Sequence, residues 1–225
     1  MNIAVLGTGM VGQAIAGRLH ELGHTVVVGT RDPEATLART EPDGMGNPPF
    51  SAWHGAHPDI GLVTFADAAA QAELVVNATG GGATLEVLTL AGADNLAGKV
   101  LVDLSNPLDF AAGFPPSLFV KDTDSLGEQV QRSFPAARVV KTLNTLNASL
   151  MVRPDALGEP STVVVSGDDT DAKATVTELL RSFGHQDVVD LGGIETARGV
   201  EMWLPLWLRV MGALGTPQFN IKVVR

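Results

Sequence analysis

The sequence predicts an α/β protein: a doubly wound, mostly parallel sheet with helices on both faces, followed by a C-terminal helical appendage. Three observations predict it. Short apolar runs alternate with amphipathic helical segments through most of the chain. The runs are continuous rather than alternating, as in strands buried on both faces. The 225 residues, 45% of them hydrophobic, allow one α/β domain with a sizeable core plus a short extension, but not two large domains.

Residues 3–6 form the first apolar run and end at Gly7. From Met10 onward, Val11, Ala14, Ile15, Leu19 and Leu22 recur at spacings of three and four, which predicts a helix, and Gly23 suits its end. Further strands are expected at 25–28, 62–64, 74–77, 100–103, 138–142, 161–166 and 188–191, with helices at 66–72, 84–91, 128–134 and 170–183. Residues 41–58 are rich in Gly, Pro, Asn, His and Trp and read as a loop or lid, longer than an ordinary connection. The expected division is a nucleotide-binding domain over 1–192 and a helical segment over 193–225. In that segment Val200, Trp203, Leu204, Trp207, Leu208, Met211 and Leu214 form one apolar stripe, with a kink expected at Pro205. The stripe suits packing on the core, and equally a cofactor pocket or a dimer seam.

The chemistry starts at Gly7-Thr8-Gly9-Met10-Val11-Gly12. This is G-x-G-x-x-G between a strand and an amphipathic helix, the context that makes it a Rossmann-type dinucleotide fingerprint. Gly7 allows the tight turn, Gly9 lets a pyrophosphate reach the backbone, and Gly12 lets helix and strand approach. After the second strand, where NAD sites usually carry an acid, stand Thr30 and Arg31. A hydroxyl and a guanidinium suit the 2′-phosphate of NADP. Asp32 is expected to turn away and cap a helix starting at Pro33.

Three later turns fall at carboxyl ends of strands, where parallel sheets bind ligands. Ala78, Thr79 and Gly80, followed by Gly81 and Gly82, allow close approach of a cofactor or simply a flexible turn. Asn106, held extended before Pro107, is placed to bond the nicotinamide ribose or carboxamide, with Asp103 bracing the turn. Asn144 is placed to touch a ligand over the nicotinamide. Lys141 is the one candidate acid in that stretch, although its place within the strand suits a side chain turned to solvent. No catalytic residue is assigned.

Composition narrows the function classes. There is no cysteine, hence no disulfide or thiolate chemistry, and no tyrosine to serve as a proton donor. The net charge of −10, without a basic cluster, argues against nucleic-acid binding. No apolar run reaches the roughly 18 residues of a membrane span, and a cytoplasmic protein is expected. His54 and His57 are three apart, but no metal site is expected.

These motifs resemble the family of NADPH-dependent reductases of the deazaflavin coenzyme F420. The resemblance covers nearly the whole chain: Gly7 to Gly12, Thr30-Arg31, the Asn144 turn, Ser166-Gly167-Asp168-Asp169 before a helix, Asp190-Leu191-Gly192-Gly193 before the last helix, and the ending Phe219-Asn220-Ile221-Lys222. It implies hydride exchange between NADP(H) and F420, in a crevice roofed by the C-terminal segment. The C-terminal helix itself is expected to contact a second subunit, giving a homodimer. The metalloreductase domains of membrane ferric reductases are similar but more distant. Archaeal members carry a second basic residue shortly after the arginine, where Ala35 and Thr36 stand here, with Arg39 as a substitute; they have a histidine in the Asn144 turn; and residues 41–58 are an insertion. The alternatives are reduction of a small carbonyl, imine, flavin or ferric substrate, and a non-catalytic NADP(H) sensor or partner-binding protein. About 60 residues after Ser166 are too few for the long helical domain of imine reductases and β-hydroxyacid dehydrogenases.

Overall fold

A computed structural model of the chain describes residues 1–42 and 46–225. In chain order the elements are β1 (Asn2–Leu6), α1 (Met10–Glu21), β2 (Thr25–Thr30), α2 (Pro33–Ala38), α3 (Phe50–Ala56), β3 (Gly61–Thr64), α4 (Phe65–Gln71), β4 (Leu74–Asn77), α5 (Thr84–Ala91), α6 (Ala93–Leu96) and β5 (Val100–Asp103). Two short strands follow, β6 (Leu108–Asp109) and β7 (Ser117–Leu118), and then α7 (Leu126–Ser133), β8 (Arg138–Thr142), α8 (Ala148–Val152), β9 (Thr162–Ser166), α9 (Thr170–Phe183), β10 (Asp187–Asp190) and α10 (Ala197–Leu214).

The main sheet has the order β10-β9-β8-β5-β4-β1-β2-β3. Every neighbouring pair is parallel except β8 with β9. The sheet is therefore doubly wound and mostly parallel. Ile3 and Val5 pack on one face with α1, α8 and α9, while Ala4 and Leu6 pack on the other with α4, α5 and α7. Burial of both faces explains the continuous apolar runs. The chain turns one way from β1 to β2 and the other way to β4, so the switch point lies between β1 and β4, where a ligand crevice opens at the carboxyl ends.

Three expectations are corrected. Within 41–58, residues 50–56 are helical, while Asp43, Gly44 and Met45 lie outside the described residues. Pro49 sits extended before the helix, Phe50 and Trp53 pack toward the α1 core, and Trp53 stacks on His57 with ring centroids 4.3 Å apart. The Gly and Pro content masked this short amphipathic turn. Second, Phe219 to Lys222, whose sequence is short and β-like and suits a return of the chain to the core, lie in no strand, yet Ile221 accepts a hydrogen bond from the Thr162 backbone and Asn220 Nδ2 donates to Thr162 O. Third, Lys141 faces the interior, not solvent. Pro205 lies inside α10, which continues beyond it.

Candidate active site

Gly7 follows β1 with φ +118°, and a Cβ there would lie 2.8 Å from Ala78 O, so only glycine fits this crossing. Gly12 is equally constrained: its Cβ would lie 2.1 Å from Gly7 O. Gly9 differs, since a Cβ there meets nothing within 4 Å. It faces open space at the start of α1, whose first turn carries no acid and no side-chain cap. The free N–H groups and the positive end of the helix dipole are thus turned to the crevice, an arrangement suited to a pyrophosphate.

A cavity of about 580 Å³ begins there. Gly9, Met10 and Val11 line it with Ala78, Thr79 and Gly80 from the turn after β4, Asn106 from the turn after β5, and Asn144 from the turn after β8. Leu146, Met151, Leu204 and Trp207 form its apolar far end. Among the described residues no ionisable side chain lines it. Of the two expected tryptophans only Trp207 lines the cavity, and it is stacked on Phe219 with centroids 5.2 Å apart.

The other expected residues lie at the edge of this space. Thr8 lines a second hollow of about 600 Å³, which shares Gly9 and Met10 with the first and also meets Gln13, Thr36 and Arg39. Thr30 is buried, its hydroxyl 2.9 Å from that of Thr36, to which Arg39 also donates. Arg31 is exposed and pairs with Glu86 of α5 at 2.6 Å. Asp32 caps α2 by accepting from Ala35 N, as expected.

Beneath the cavity runs a buried polar network. Thr79 Oγ1 donates to Asn77 Oδ1, and Asn77 Nδ2 donates to Asp103 Oδ1. Asp103 also accepts from the backbone and hydroxyl of Ser105. Lys141 Nζ lies 2.8 Å from Asp103 and 2.9 Å from Glu201 of α10, and donates to Ser105 O. Glu201 accepts in turn from the backbone N–H groups of Leu126 and Gly127 at the start of α7. Burial lowers the affinity of Lys141 for its proton, but the charges of Asp103 and Glu201 outweigh it and hold the ammonium above its ordinary pKa. Lys141 is therefore a fixed cation that braces the Ser105–Asn106 turn.

Above this layer, Asn144 Nδ2 donates to Asn106 Oδ1 and to Val200 O, and Asn106 Nδ2 donates to Asn144 O. Asn144 Oδ1 is buried without a partner among the described residues. The roles of Lys141 and Glu201 were missed in the sequence. One signal was present: Glu201 lies three residues before Leu204 and four after Ala197, an acid on the buried side of an apolar helix.

Residues 2–107 match the model of the family described as NADP oxidoreductase, coenzyme F420-dependent. A crystal structure of a candidate F420-dependent NADP-reductase from Arthrobacter sp. FB24 is 61% identical, covers 100% of both chains, and superposes with a TM-score of 0.95. The F420-dependent NADP reductase of Methanothermobacter thermautotrophicus is 29% identical over 93% of this chain and 89% of its own length. Metalloreductase STEAP3 of Rattus norvegicus is 31% identical over 92% of this chain, which spans only 38% of that protein. An imine reductase from Bacillus cereus shares the fold at a TM-score of 0.60 and 20% identity, covering 95% of this chain and 62% of the other.

Proposed function

The chain belongs to the family of coenzyme F420-dependent NADP oxidoreductases, and from that premise we propose that it transfers hydride between NADP(H) and a planar ring acceptor, the deazaflavin coenzyme F420. The observation that carries this reading is the cavity of about 580 Å³ running from the uncapped start of α1 to the apolar wall of Leu204 and Trp207, which no ionisable group lines among the described residues. Bound there, NADPH would supply a hydride from its nicotinamide ring, and the acceptor ring would gain that hydride together with one proton from solvent.

In this reading Gly7, Thr8, Gly9, Met10, Val11 and Gly12 hold the pyrophosphate and its flanking ribose, and Ala78, Thr79 and Gly80 cover them from β4. Thr30 and Arg31, with Arg39 close to Thr36, take the 2′-phosphate. Asn106 and Asn144 set the nicotinamide and acceptor edges. The apolar far end stacks an aromatic ring and excludes water, and hydride transfer needs that alignment rather than an acid or base. The outer face of α10 exposes Met202, Leu206 and Leu214, which supports pairing with a second copy of the chain. Sedimentation equilibrium should then give the mass of a dimer, and a monomer at micromolar concentration overturns the pairing.

Steady-state oxidation of NADPH, with F420, a free flavin and a ferric chelate supplied in turn, tests the acceptor. F420 should give the highest kcat/KM. The rat metalloreductase makes the ferric arm the specific competitor, and preference for the chelate overturns the deazaflavin assignment.

A further inference from the structure

Amide side chains usually leave open which end is oxygen and which is nitrogen. Here two backbone carbonyls decide it, because a carbonyl can only accept. Val200 O lies 3.3 Å from one end of the Asn144 amide, so that end is Nδ2. Asn144 O lies 2.8 Å from one end of the Asn106 amide, so that end too is Nδ2. Asn106 must then present Oδ1 to Asn144, and it does so at 2.9 Å. Flipping either amide would set oxygen against oxygen. The relay is also held in place. Lys141 grips Ser105 O, Gly81 presses on Asn106 O so closely that a Cβ would come within 2.0 Å of it, and Leu143 enters the turn in the left-handed region at φ +58°.

The consequence concerns Asn144 Oδ1. Both hydrogens of Nδ2 are engaged, the side chain is 2% exposed and lines the cavity, and Oδ1 alone has no partner among the described residues. A buried acceptor in this state calls for a donor. We propose that Asn144 Oδ1 recognises an N–H group on the bound ligand, so that the cavity selects a carboxamide or lactam edge over an analogue of the same shape lacking the N–H. Two ligands could bring that chemistry: the carboxamide of the nicotinamide, or the lactam N–H of the acceptor ring. The inference rests on the reading that both occupy this cavity.

Ligand-side changes test it without disturbing the fold. Calorimetric titration compares NADPH with its 3-acetylpyridine analogue, which keeps the carbonyl and replaces the amide nitrogen by a methyl group. The complex with NADP⁺ is then titrated with F420 and with an F420 analogue methylated at the lactam nitrogen. One of the two analogues should bind the native protein about tenfold more weakly than its parent, the size of one hydrogen bond lost to a buried acceptor. In Asn144→Leu the same pair should differ less than twofold, and whichever pair shows this loss identifies the source of the N–H. Equal binding of both analogues and parents, or a tenfold loss that persists in Asn144→Leu, overturns the proposal while leaving the nucleotide site standing. Failure of NADPH itself to bind overturns both the proposal and the functional reading beneath it.

Discussion

At the β2 end of the cleft, Arg31 and Glu86 meet at 2.6 Å with 64% and 61% of their side chains in solvent. At the β5–β8 end, Lys141 lies within 2.9 Å of both Asp103 and Glu201, and none of the three is more than 1% exposed. The pairs look alike on paper, yet water makes them different objects. The exposed pair is screened and exchangeable, free to trade its partner for a phosphate. The buried cluster cannot trade, because each charge removed leaves its partner stranded at low dielectric. One end suits recognition of a charged group that comes and goes. The other suits holding Ser105, Asn106 and Asn144 at fixed distances.

The largest test of this contrast is Lys141→Met, which leaves two buried carboxyl groups facing each other. Urea unfolding should show a loss of about 3–5 kcal/mol. A loss below that of an ordinary surface substitution breaks the comparison. Gly9→Val comes next and probes the ground between the two ends. Its Cβ has room in the protein, so the unfolding midpoint should stay near native while NADPH affinity falls by at least about a hundredfold. Native affinity in the titration would remove the pyrophosphate from this loop.

Arg31→Ala should weaken NADPH about ten- to hundredfold and NADH much less, since only the first carries the 2′-phosphate. Equal losses would show that Arg31 does not read that phosphate, and would shift attention to Arg39 and Thr36. Glu86→Gln is the smallest and the most pointed change. A surface pair is worth at most about 1 kcal/mol, so freeing Arg31 should tighten NADPH by no more than about fivefold and leave NADH unchanged. Weaker NADPH binding would mean that Glu86 aims Arg31 at the phosphate rather than competing for it.

How far each end could be read from the chain follows the same division. The fingerprint from Gly7 to Gly12 and the Asp32 cap depend on residues close in sequence, and the close crossing at Gly7 and Gly12 and the cap on α2 came out as expected. The turns at Asn106 and Asn144 were recognised because each follows a strand. Their mutual contact was not recognised, because it depends on β5 and β8 being neighbours in the sheet. Residues 50–56 were read as loop because proline and glycine outweighed a stripe of only two packed aromatics.

The alternation of strands and helices, the strand-turn-helix cradle, and a basic rather than acidic residue after β2 were all legible in the chain. These are properties of short segments, set by backbone sterics, apolar periodicity and the residue types at a turn. Long-range packing settled that Lys141 is a buried cation, that Glu201 of α10 reaches under the cavity to hold it, and that Asn144 keeps one acceptor unpaired among the described residues. Those outcomes depend on which distant side chains share a small volume out of reach of water; the local pattern flags Glu201 as an acid on a buried helix face but does not name its partners.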